Sequence, residues 1–96
     1  MASNFKILYH RDNDRLHLKP TGDMDGDSAY QMINFLEDNS NGVKEVVIET
    51  NGLKNIFPFG RHVFSKNFYK ITGRYTNIMF AGDKSSQIAP EENLSL

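Results

Sequence analysis

The chain has no cysteine and no tryptophan, only 3 prolines, and no stretch approaching the roughly 20 apolar residues that a membrane-spanning helix requires. Without thiols it can form neither a disulfide framework nor a thiolate zinc site, staples that small secreted domains often need, so the expected compartment is a reducing cytosol. The opening residues Met1 to Lys6 lack the apolar core of a signal peptide. Neither positive nor negative charge predominates. With 11 Lys and Arg against 12 Asp and Glu, the net charge of -1 offers no general attraction to phosphate backbones, which argues against nucleic acid as a partner.

Ninety-six residues allow one core. Phe5 to His10 is a short apolar run, and Arg15 to Lys19 alternates Leu16 and Leu18 with polar neighbours; Asp12-Asn13-Asp14 between them predicts a hairpin. Pro20 lacks a backbone donor, so the second strand is expected to stop there, to bulge, or to present that side at a sheet edge. An acidic turn, Thr21 to Asp27, leads to Ser28 and Gln31, which match a capping box and predict a helix starting near Ser28. Ala29, Met32, Ile33 and Leu36 give that helix one apolar face, and Asn41-Gly42 ends it.

Val46-Val47-Ile48, within Val43 to Thr50, predicts a central strand buried on both faces. Asn51-Gly52 opens a loop, Pro58 suits the first turn of a second helix, and Val63, Phe64, Phe68 and Ile71 form its apolar stripe before Gly73. Asn77 to Ala81 reads as the last strand. The stretch from Gly82 to Leu96 is polar, so the expected organisation is a single domain over 1–82 with a tail over 83–96. The order β-β-α-β-α-β, with right-handed crossovers between parallel strands, gives an α/β fold: a mixed sheet with helices mainly on one face.

Leu16 to Asp25 followed by Ser28-Ala29 resembles the strand, acidic turn and helix start of STAS domains, the anti-sigma factor antagonist modules. Val46-Val47-Ile48 is similar to that family's central strand, and Leu53 to Gly60 to its loop ending in Asp-Ser-Ser-Gly or Asp-Ser-Thr-Gly. The resemblance spans roughly Leu16 to Ala81 and implies a bacterial regulatory module switched when a kinase phosphorylates a hydroxyl at the start of the second helix, adding about -1.5 to -2 charge. Carried over residue by residue, the motif's aspartate falls on Phe57, its first hydroxyl residue on Pro58, its phosphoacceptor on Phe59 and its glycine on Gly60. None of the first three accepts a phosphoryl group. Ser28, Thr50 and Ser65 are the remaining hydroxyls considered, without a motif around them. The family also continues past the last strand into another helix, which is expected to be shortened or absent here. The uncovered sheet then either drives homodimerisation or is covered by Ile88, Leu94 and Leu96 folding back.

Two aromatics flanked by cations have the makeup of a protein-binding hot spot, so Phe57 and Phe59 with Arg61, His62 and Lys66 are candidate partner-binding residues. The alternative is that the aromatics plug the core. His62, Lys66, Lys70 and Arg74 recur at four-residue intervals, as a basic stripe or as a solvated face. Asp23, Asp25 and Asp27 join the candidate surface because the resemblance places the acidic turn beside the second helix. A calcium loop starting at Asp23 fails on Ser28 where glycine is needed and on Asn34 where glutamate is needed. His10-Arg11-Asp12 has the letters of a kinase catalytic loop in a chain too short for that fold, and His10, His17 and His62 lack zinc-site spacing. An enzyme would require Asp23, Asp25 and His62 to converge in a pocket. The expected function is therefore a non-catalytic module without metal or cofactor, binding an anti-sigma factor, kinase-like or other regulatory protein without inserting into a membrane; the other reading is a carrier of a small apolar ligand or lipid beside the open sheet.

Overall fold

The computed structural model describes residues 4–90, and its layering follows from the alternation along one long strand. In β2 (Arg15–Met24), Leu16, Leu18, Pro20, Gly22 and Met24 are buried, and the residues between them are exposed or half-buried. β1 (Lys6–Asp12) pairs with it antiparallel from Lys6 opposite Thr21 to Asp12 opposite Arg15, confirming the hairpin. Asn13 turns the chain at φ 57°, in the left-handed region that asparagine tolerates better than most residues.

The other side of β2 is shared. β3 (Glu45–Glu49) lies parallel to its first half, and β4 (Leu53–Ile56), a strand the sequence pattern did not announce, lies parallel to its second half. β5 (Asn77–Ala81) is parallel to β3, giving a five-stranded mixed sheet in the order β1-β2-β3-β5 with β4 also on β2. Pro20 corrects an expectation: the strand continues through it, away from any sheet edge. The Gly22 amide donates to the Gly52 carbonyl. Two residues earlier the same side of β2 carries the Pro20 nitrogen, where β3 has ended and β4 has not begun, so no ladder bond is lost.

β3 is central but not buried on both faces. Val46 and Ile48 enter the core, whereas Val47 is half-buried on the opposite face, because the helices gather on one side of the sheet. α1 (Gly26–Asp38) contributes Ala29, Met32, Ile33 and Leu36 to that core. The second helix contributes Val63 and Phe64 from α2 (Pro58–Asn67) and Ile71 from α3 (Tyr69–Thr72), with buried Phe68 at the break between them. After β5, α4 (Ser85–Ile88) is the shortened C-terminal helix, and Ile88 packs into the same core. Leu94 and Leu96 lie outside the described residues.

The cap of α1 also differs from expectation. Asp25, not Ser28, is the N-cap: its carboxylate accepts from the Ser28 amide at 2.9 Å and the Ser28 hydroxyl at 2.8 Å, so Ser28 acts as donor inside the first turn. At the other end, the buried Tyr75 hydroxyl donates to the Leu36 carbonyl. Burial raises the Tyr75 pKa above its ordinary value, partly opposed by Arg74. Because the native state holds this proton more tightly than the unfolded chain, the contribution is complete below the unfolded pKa of about 10 and is lost as pH rises through the higher native value. Thermal melts should therefore decline above about pH 10 in the native protein and decline less steeply in Tyr75→Phe.

Candidate docking surface at the start of the second helix

Three elements meet where β4 turns into α2. The Phe57 amide donates to the Met24 carbonyl at 3.0 Å, Pro58 opens the helix, and the Arg61 amide donates back to the Phe57 carbonyl at 3.0 Å. Gly60 makes this approach possible. A Cβ there would lie 2.5 Å from the Met24 carbonyl oxygen and 2.8 Å from that of Asp25. The acidic turn and the helix start are thus adjacent, held together through backbone.

The two aromatics do not plug the core. Phe59 is 68% exposed and Phe57 45% exposed. The Phe59 ring rests over Gly26, where an added Cβ would come within 2.8 Å of two ring carbons, and it stacks on His62 with centroids 6.3 Å apart and planes 26° from parallel. Arg61, His62 and Lys66 are exposed beside it. On the flank facing α4, Ile56, Pro58, Arg61, His62, Ser65 and Gln87 line an open groove of about 420 Å³.

The three aspartates separate by role. Asp23 is a tie: its carboxylate accepts from Asn55 Nδ2 at 2.9 Å and Asn4 Nδ2 at 3.3 Å, and its amide donates to Asn4 Oδ1 at 3.1 Å. Asp25 caps α1, which leaves Asp27, exposed in the first turn, as the carboxylate with no structural bond of this kind among the described residues. Of the hydroxyls, Ser28 and Thr50 are buried; Thr50 Oγ1 donates to the Ala81 carbonyl at 2.8 Å and accepts from the Lys84 amide at 3.1 Å. Ser65 is exposed on α2. Within the basic stripe, Arg74 turns away to Glu37 at 3.9 Å, while Lys70 is half-buried.

One juxtaposition escaped the sequence pattern. His10 and His17 face each other across the hairpin with ring centroids 6.2 Å apart, on the sheet face opposite the helices. No group of three or more His, Cys, Asp or Glu residues is arranged to hold a metal ion among the described residues. No helix among them is long and apolar enough to cross a membrane.

The architecture is a STAS-like, SpoIIAA-like fold, as comparison with solved structures shows. The anti-sigma factor antagonist STAS domain of Rhodobacter sphaeroides superimposes with a TM-score of 0.64 at 11% identity over 83% of this chain and 88% of that one. A protein of the DUF3478 family with a SpoIIAA-like fold, from Shewanella loihica PV-4, superimposes with a TM-score of 0.62 at 22% identity, covering 91% of this chain and 75% of that one. A part of the larger protein Mglu is also similar, with a TM-score of 0.69 and 18% identity over 80% of this chain, which spans only 19% of that protein. No family model matches the chain, and no curated protein matches its sequence.

Proposed function

We propose that this chain is a non-catalytic protein-docking module of the anti-sigma factor antagonist type, a cytoplasmic bacterial regulator that works without a phosphoacceptor at the start of its second helix. The observation that carries this reading is the exposure of Phe59, at 68%, in the first turn of α2 beside Arg61 and His62. An aromatic held above a glycine and against an imidazole loses little freedom on docking, which favours its use as an anchor. In this reading Phe57 widens the apolar contact, while Arg61, His62, Lys66 and Asp27 supply the charged rim. Asp23 and Asp25 shape the surface from behind. The grooves beside the helix start and on the open sheet face both lie open to solvent, which suits docking of a protein better than enclosure of a lipid.

The test is quantitative capture of partners from a bacterial lysate by native protein, Phe59→Asp and Tyr69→Asp. Tyr69 is just as exposed, at 70%, but lies on α3 outside the surface. Phe59→Asp should lower retention of the captured partner more than tenfold, as for a central anchor, with Tyr69→Asp close to native. Equal retention by all three proteins sinks the surface.

A further inference from the structure

We infer that β1 is a dimerisation edge, joining two copies of this chain through antiparallel β1–β1 pairing about a two-fold axis at Tyr9, independently of the α2 surface. β1 is the outer strand of the sheet, and no described residue pairs with its free side. It contains no proline and pairs with β2 without a bulge along its whole length; its charges, Lys6, Arg11 and Asp12, sit at its two ends and leave the middle, Ile7 to Tyr9, apolar.

The backbone directions follow from the hydrogen bonds of β2. The Gly22 amide faces β4 and the Asp14 carbonyl faces β3, whereas the Asp23 amide faces Asn4. Even-numbered residues of β2 thus bond away from β1 and odd-numbered ones toward it. Through the register Lys6–Thr21, Leu8–Lys19 and His10–His17, the alternate residues Ile7, Tyr9 and Arg11 of β1 direct their amides and carbonyls to the free edge.

A second copy placed antiparallel with full overlap sets Tyr9 against its own mate, Ile7 against Arg11, Leu8 against His10 and Lys6 against Asp12. Each outward-directed pair then exchanges both backbone bonds. Charge selects the same register. Lys6 forms no ion pair among the described residues and Asp12 stands across from Arg15, whose carboxylate partner at 2.8 Å is Glu45; this arrangement brings Lys6 and Asp12 together at both ends of the strand. Tyr9, 61% exposed and 5.0 Å from the Phe35 ring, meets its mate on the helix side, while Leu8, 53% exposed, gains cover on the other. A contact in which each strand supplies both halves is the self-complementary form a two-fold dimer needs.

Sedimentation equilibrium of native protein, Lys6→Asp, Asp12→Lys, the double variant and Tyr9→Pro decides the matter. The expected result is a weak reversible dimer in the native protein, weakened about tenfold by each single charge reversal and restored by the two together. Tyr9→Pro removes an amide that faces solvent in the monomer, so it should abolish association and keep the native circular dichroism. If that variant unfolds, the charge reversals still discriminate. A native protein that stays monomeric at every soluble concentration, a dimer of equal strength in all variants, or a double variant no better than the single ones overturns the inference.

Discussion

Gly60→Ala is expected to lower the unfolding free energy by about 2 kcal/mol, although the same change in an exposed helix interior would stabilise by about 1 kcal/mol. The sign turns on what the new methyl meets. Its closest neighbours are the Met24 and Asp25 carbonyl oxygens and the Asp25 carbonyl carbon, all within 2.9 Å and all main chain. A flexible side chain could rotate aside; these atoms belong to the end of β2 and the cap of α1, so α2 has to move instead. In a domain of this size the loss corresponds to a fall in melting temperature of about 8–16 °C. Docking should weaken as well, because Phe59 moves with the helix and leaves its seat over Gly26. A Gly60→Ala protein that melts at or above the native temperature contradicts the close approach on which the surface depends.

Phe64→Ala should cost more, about 3–5 kcal/mol, which is a large share of the about 5–15 kcal/mol that stabilises a typical domain. Phe64 is wholly buried, and its ring lies 5.7 Å from that of Phe68 and 6.1 Å from that of Phe80. It therefore joins α2 to the α2–α3 break and to β5. Truncation leaves a cavity bounded by three elements that cannot all collapse into it, so the upper part of the range applies. Phe64→Leu retains much of the volume and should cost clearly less. Urea unfolding monitored by circular dichroism separates the two, since the midpoint shifts while the slope stays near native if the fold is kept.

What could be read from the residues was whatever repeats at a fixed period. The alternation of Leu16 and Leu18 gave the hairpin, and the spacing of Ala29, Met32, Ile33 and Leu36 gave the buried face of α1. The stripe Val63, Phe64, Phe68 and Ile71 was equally legible, including its continuation past the end of α2. Position within a cluster of similar groups was not. Asp23, Asp25, Asp27 and Ser28 all carry oxygens that can cap a helix, and only the folded backbone chooses Asp25.

β4 was hidden for another reason. Leu53-Lys54-Asn55-Ile56 is too short and too polar to announce a strand, and it becomes one because β2 extends past the end of β3. The roles of Asp23 and of the His10–His17 pair depend on remote partners, which no local pattern reveals. The adjacency of the acidic turn to Phe57 and Phe59 was legible only through resemblance. Its physical cause is Gly60 packed among the backbone atoms of Met24 and Asp25, residues far from it in the chain.

The bare Cα at position 26 means that the pose of Phe59 is governed from another element. Any side chain placed there would displace the ring and so, under the proposed docking role, alter its grip without changing a residue of the contact. In that role affinity is separable from chemical identity, so changes on the first helix would retune attachment while the proposed anchor residues stay the same.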